Sequence, residues 1–550
     1  MERRTFLKIL SSAGIVSLVS PTFAMEVCKN KVSKSSSALL ESAFRNPPFS
    51  SGVYTWWHWM NGNITKDGIT RDLEAMKANG IAGYQLFEAG SGIPIGPVES
   101  LSDEWVDLIL HTLKESERLG LEFAMHNCPG WSSSGGPWIT PDKAMQIITW
   151  SETKITGGKQ VRIQLPTPKH MFDYYIDTYC LAIPANMKVI PRLSILELSN
   201  RLDKDGVLTW DVPTGEWLIM RFGQTAKDQK NKSAPSKSTG LDCDKFSTEA
   251  LDYHLNCMFK RLMPAMEKIA KHSKIGLLID SYETGDQDWT SDMPAYFEQS
   301  HGYELYPFLP VLANKIVESE ESTKRFLFDF RRVRADMFAE RYYGHFQKRC
   351  KEKGIITYTE PYGGNMMEEL QVAQQLDINM GEFWCGQTVL WANYKYNRTV
   401  KQVASIAHTL GGKVVGAEAF TSEPDADKWL QYPYALKSLG DYMFTRGLSR
   451  IYFHRFAHQP HPTAAPGMTM GAWGLHFDRT NTWWKPGKAW IEYLNRCQYI
   501  FQSSTFYGDI LYHNGDDSFG STIEPEQTLL APPEGYDYDM VNTETVSYTH

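Results

Sequence analysis

Eight short apolar runs recur along the chain, and each gives way abruptly to polar residues. They are Val53 to Trp59, Ile81 to Phe87, Leu121 to Met125, Ile275 to Ile279, Ile355 to Thr359, Ile378 to Gly381, Lys413 to Ala417 and Arg450 to Phe453. A brief, nearly continuous apolar run reads as a strand buried on both faces, the kind found in parallel sheets. Helical patterns lie between them. Thr65 caps a helix with Ile69, Leu73 and Met76 on one face, which ends at Asn79-Gly80, and Ser102 opens another that runs to Leu119-Gly120. Further helical stretches cover Ser247 to Lys271, Ser322 to Lys353, Met366 to Leu376, Val400 to Leu410, Trp429 to Arg446 and Pro486 to Tyr499. Eight alternations of strand and helix predict an α/β fold closed into a (β/α)8 TIM-type barrel. An open doubly wound sheet is the alternative. No G-x-G-x-x-G turn follows the first strand, so dinucleotide binding has no support.

The rhythm breaks once. From Gln146 to Phe222 the pattern is alternating and rich in Gly, Pro and Asp turns, and a Lys/Ser/Pro loop from Lys227 to Ser238 follows. Residues 146–235 therefore read as an antiparallel β domain inserted after strand three, dividing the barrel into 45–145 and 236–500. Beyond Phe501 the periodicity changes again, and 501–550 reads as the start of an incomplete C-terminal domain.

The first residues add a compartment. Arg3-Arg4 precedes Thr5-Phe6-Leu7-Lys8, an apolar run from Ile9 to Val19 and a small-residue exit at Ala24. That is the layout of an export signal over 1–24, twin-arginine-like, with a Sec signal as runner-up. The expected destination is periplasmic or secreted. The eight cysteines form no C-x-x-C pair, which disfavours a zinc site on paired cysteines, and a chain this large needs no disulfide staples. A net charge of −8 without a long basic run makes nucleic acid and anionic membrane poor partners. Aromatic residues make up 13% of the chain, and flat rings with a polar handle suit either a large core or sugar binding.

The chemistry gathers where the strands stop. Glu88, Glu283, Glu360, Glu382 and Glu418 follow the second, fourth, fifth, sixth and seventh strands, and His58, His126 and His454 follow the first, third and eighth. Barrel enzymes keep their catalytic groups at this edge, and a ring of acids with aromatic neighbours points to glycoside hydrolysis by two carboxyl groups. Counting round the ring, strands four and seven are taken to face each other, which favours Glu283 and Glu418 as the acid/base pair. Carboxyl groups about 5 Å apart would mean retention, and roughly 6.5–9.5 Å inversion. Trp57, His58, Asn61, Glu88, His126, Asn127, Trp131, Glu360 and His454 are the expected sugar-binding residues. Glu88, Asn127, Glu360 and Glu382 are also candidate oxygen ligands for a hard cation such as calcium. A silent glycan-binding protein is the rival from another class, and a metal-dependent amidohydrolase is weakened by the lack of paired histidine ligands.

Four stretches carry a resemblance: WWHWMNGNITKDGI (56–69), MHNCPGWSSSGGPWI (125–139), GLLIDSYETG (276–285) and GAEAFTS (416–422). They resemble glycoside hydrolase family 106, from about residue 45 onward. The resemblance implies an inverting α-L-rhamnosidase acting on terminal rhamnose of polysaccharides or glycosides. It also implies a (β/α)8 domain with appended β domains and a bound calcium. By position it makes Glu283 the general acid, Glu418 the general base and Glu382 a further acid of the site. Chains of that family usually continue past this length.

Overall fold

The computed structural model describes residues 34–549, except 133, 273, 365, 386–389, 423–428, 472–473, 516–521 and 523–529. The expected export signal and Cys28 lie outside the described residues. Eight parallel strands close into a barrel: β1 (Tyr54–Met60), β2 (Gly83–Ala89), β3 (Glu122–His126), β4 (Ile275–Ile279), β5 (Ile356–Thr359), β6 (Ile378–Cys385), β7 (Gly416–Ser422) and β8 (Arg450–Ala457). Each is hydrogen-bonded to its neighbours in chain order, and β8 returns to β1. In this ring β4 lies opposite β8. β7 is three places from β4, so the reading that strands four and seven face each other is corrected.

The crossover helices include α1 (Lys66–Ala78), α2 (Asp103–Leu119), α3 (Thr248–Phe259), α4 (Glu320–Met337), α5 (Leu390–Thr409), α6 (Pro433–Thr445) and α7 (Lys488–Ser503). The first three start at the expected caps: the Thr65, Ser102 and Ser247 hydroxyls accept from the backbone N–H of Gly68, Trp105 and Ala250. The long helix expected from Ser322 is a composite. α4 passes through one wide-turn segment, Phe338–Gly344, before a short helix, His345–Lys351.

Strand alternation sorts side chains into two cores. Trp57, Trp59, Tyr84, Leu86, Phe123, Met125, Leu277 and Ile279 point outward and pack under the helices. Tyr54, Trp56, Phe87, Ala124, Leu278, Tyr358, Met380 and Tyr452 fill the barrel interior. Continued by one more step of two, the interior face reaches the polar ends of the strands.

Between β3 and β4 the chain forms antiparallel strands. Gln146–Thr156, Glu216–Ala226, Ile176–Pro184 and Leu196–Glu197 make one sheet, and Lys159–Gln164 pairs with Val207–Val212. One side carries its own small core around Leu165, Cys180, Leu208 and Trp210. The alternate residues Leu181, Ile183, Leu218 and Met220 belong to the main core. The segment is thus bound to the barrel body by one face. Its return crosses the barrel mouth, where Leu241–Asp242 pairs with Gly135–Gly136.

Near the C-terminus, Ile510–His513 and Tyr538–Val541 pair in parallel. Ile510, Tyr538 and Met540 pack on Leu370, Ala373 and Ile406. The cysteines among the described residues form no disulfide. No helix among those residues is long and apolar enough to cross a membrane.

Candidate active site

The interior face of the strands places His58, His126, Asp280, Glu360, Glu382, Glu418 and His454 around the upper end of the barrel axis. Each continues the alternation of an interior residue two positions earlier: Trp56, Ala124, Leu278, Tyr358, Met380, Gly416 and Tyr452. Glu382 and Glu418 are register partners on adjacent strands. Glu418 accepts from the Thr421 hydroxyl and has His454 Nδ1 3.7 Å from Oε1. Glu382 accepts from the Trp384 indole N–H, and its backbone N–H donates to Thr399 Oγ1 at 2.8 Å. Glu360 accepts from the Tyr362 hydroxyl at 2.6 Å and shares a hydrogen bond with Asp280.

Burial holds the Glu418 carboxyl well above the usual carboxylate range, with the nearby Glu382 and Asp280 adding to the effect. Glu360 is raised by burial and then by Asp280, Glu418 and Glu382. Asp280 is raised by burial and by Glu283 and Glu382. Like charges in a dry space cannot all ionise, so this group retains protons at pH values where free carboxylates have lost them. The histidines move the other way. Burial and the Arg455 guanidinium push His454 and His58 well below the ordinary imidazole range, and burial lowers His126 to about 4. They are neutral rings that offer one donor and one acceptor each. Trp56 stacks on Phe87 at 4.3 Å and meets His58 and His454 edge-on or tilted.

Glu283 occupies a different environment. Its side chain is 40% exposed, and Oε2 accepts from Lys232 Nζ at 2.8 Å. Trp131 Nε1 stands 3.4 Å from the same oxygen. Glu283 is near enough to Asp280 and Glu418 to raise both. One carboxyl thus stands at an open mouth and another at a buried, acid-rich depth.

Four expected site residues are placed elsewhere, and each is a correction. Trp57 faces the outer layer, where it packs on Trp59 and Tyr84 and donates its indole N–H to Asp72 at 3.2 Å. Trp56 is the ring that faces inward. Asn61 is a turn residue with φ 48°, its amide donating to the Ile93 carbonyl at 2.6 Å. Glu88 accepts from Ser100 Oγ at 2.6 Å, just before α2, and burial raises it to about 7. Asn127 is fully buried between the Ser134 hydroxyl and the Leu278 carbonyl, so it ties the loop after β3 to β4.

The set Glu88, Asn127, Glu360 and Glu382 does not fit calcium in this arrangement. A hard cation needs oxygen atoms converging at about 2.3–2.6 Å on one point. Among the described residues no three His, Cys, Asp or Glu side chains are grouped to hold a metal ion. Asp280 is the site residue that sequence reasoning left unassigned. The signal was present in the alternation Gly276, Leu278, Asp280.

The chain matches glycoside hydrolase family 106, described as alpha-L-rhamnosidase, over residues 45–176 and 169–549. It belongs to this family. A family-106-like fold is also found in the rhamnosidase from Novosphingobium sp. PP1Y, with a TM-score of 0.85 at 24% identity, covering 92% of this chain and 64% of that one. A protein of Formosa agariphila, provisionally named a beta-glucuronidase, is 40% identical over 542 residues, covering 92% of this chain and 45% of its own length. The family-106 chain described here thus spans less than half of that relative and under two thirds of the solved rhamnosidase.

Proposed function

We propose that the protein is an exported, inverting α-L-rhamnosidase that removes terminal α-L-rhamnose from polysaccharide side chains or glycosides. The observation that carries the reading is the pairing of an exposed carboxyl, Glu283, with a buried carboxyl, Glu418, at the mouth of a family-106 barrel. In a single displacement, Glu283 gives its proton to the leaving oxygen as the C1–O bond breaks and its electron pair goes to that oxygen. A water attacks C1 from the other face, and Glu418, acting in its ionised form while its neighbours Asp280 and Glu360 keep the cluster's protons, takes the proton it releases. Glu382, beside Glu418, adds negative charge facing the cationic transition state. The neutral His58, His126 and His454 rings, with Trp131 and Glu360, hold the sugar hydroxyls. Glu283→Gln and Glu418→Gln are each expected to lower kcat/KM by about 10²–10⁴-fold. A good aryl leaving group partly spares the first and not the second. Near-wild-type hydrolysis by either variant would remove that residue from the mechanism.

A second reading follows the name of the Formosa agariphila protein, and Lys232 at the mouth is the observation that favours it. The acid-rich axis argues against it, because a uronate carboxylate there would face Asp280, Glu360 and Glu418. An aryl β-glucuronide beside an aryl α-L-rhamnoside separates the two.

Calcium is carried by the family resemblance as a proposal, with no step of the displacement running through it. Treatment with EDTA is expected to lower Tm and added calcium to restore it. An unchanged Tm would take calcium out of the account. We also read 1–24 as an export signal, the antiparallel strands of 146–235 as an inserted domain, and 501–550 as part of a further domain.

A further inference from the structure

Lys232 is held in place by its backbone, while its side chain is half exposed and ends on Glu283. Asn231 is 2% exposed. Its amide donates to the carbonyls of Pro129 at 2.9 Å and Ser238 at 3.2 Å, and its oxygen accepts from Gly240 N–H at 2.8 Å. The Lys232 carbonyl accepts from Trp131 N–H at 3.2 Å, and the next carbonyl, of Ser233, accepts from Gly90 N–H at 2.6 Å. Gly130, at φ +84°, admits this approach: a Cβ there would stand 2.0 Å from the Lys232 oxygen. The loop after the antiparallel strands is thereby clamped onto the loops after β2 and β3. The Lys232 side chain remains 49% exposed, with its ammonium on Glu283.

We propose that Lys232 docks an acidic residue on the leaving side of the scissile bond, a uronic acid whose carboxylate takes the ammonium from Glu283 when substrate binds. This rests on Glu283 being the proton donor. A group 2.8 Å from the donor's carboxylate lies on the side where the leaving sugar departs. The opposite side is lined by Asp280, Glu360 and Glu418, a buried group that already cannot ionise in full, so a further carboxylate is disfavoured there and a negatively charged sugar fits outside. An exposed lysine on a flexible stem exchanges one carboxylate partner for another at little cost, and the exchange leaves Glu283 without its cationic neighbour. Binding of an acidic leaving residue and release of the donor are thus one event.

The test compares an α-L-rhamnosyl-glucuronic acid with the matching α-L-rhamnosyl-glucose, using the full chain and its Lys232→Met and Lys232→Arg variants. In the wild type the ratio of kcat/KM, acidic over neutral, exceeds one and falls as salt is added. In Lys232→Met it drops about tenfold or more, the loss of a charge-assisted hydrogen bond, and Lys232→Arg keeps most of it. Equal losses on both substrates would overturn the proposal, because Lys232 would then act only through Glu283. A wild-type ratio at or below one would also overturn it. Failure of the wild type to cleave either disaccharide would bring down the rhamnosidase reading itself, a result distinct from an unchanged ratio.

Discussion

Asp280, Glu360 and Glu418 are buried together at the top of the axis, and each is raised above the usual carboxylate range by burial first and by its neighbours next. Their folded forms bind protons more tightly than the unfolded chain does. Stability therefore falls as pH rises through the interval between the ordinary carboxylate pKa and the raised one. Glu360→Gln keeps the shape and removes one charge. It is expected to raise Tm at neutral pH, with the gain vanishing below about pH 4, where carboxyls are protonated in both states. A Tm at or below wild type at neutral pH would show that the cluster is not strained. The same residues show what a sequence can reveal at this scale. Glu360, Glu382 and Glu418, with His58, His126 and His454, lie on the inward face, where alternation within short strands puts them. Trp57, Asn61, Glu88 and Asn127 do not face the axis. A place at a strand end or in a resembling stretch does not say which face the alternation gives a residue. Trp56, one step along β1 from Trp57, is the ring on the inward face.

Among the connecting elements, the loop after β3 matters most. Its shape depends on a buried ion pair. Lys245 Nζ bonds to Asp242 with both side chains fully buried, and it also donates to the Ser134 carbonyl at 3.2 Å. Asp242 accepts from Ser134 N–H at 3.2 Å, and the Ser134 hydroxyl donates to Asn127. Trp131 and Gly130 sit in the same loop. Lys245→Met leaves Asp242 charged and buried, and is expected to cost about 3–5 kcal/mol in urea unfolding. A double change that also makes Asp242 apolar should recover part of that loss. A loss below about 1 kcal/mol would mean that the pair is not what anchors the loop. This brace was not legible in sequence. A two-residue strand pair between Gly135–Gly136 and Leu241–Asp242 has no period to read. The helices were legible because caps and a 3.6-residue repeat mark them, as at Thr65 and Ser102.

For the molecule as a whole, the eight-unit count gave the barrel, since each strand pairs with its neighbours in chain order. What the count could not give was depth. The separation of Glu283, partly exposed against Lys232, from the buried Glu418 comes from which loops cover the mouth, and those loops are set by long-range contacts. The C-terminal strands are a further case. The sequence after Phe501 shows little pattern, yet Ile510, Tyr538 and Met540 pack on the barrel's own residues, because a pair of short strands can rely on a surface already formed. The central claim is a single displacement at an α-L-rhamnoside by a carboxyl pair. The most direct measurement is a proton NMR time course of an aryl α-L-rhamnoside incubated with the protein, recorded before mutarotation. Rhamnose appearing first as the β-anomer is the predicted result. First appearance of the α-anomer, or no release of rhamnose, would contradict the account.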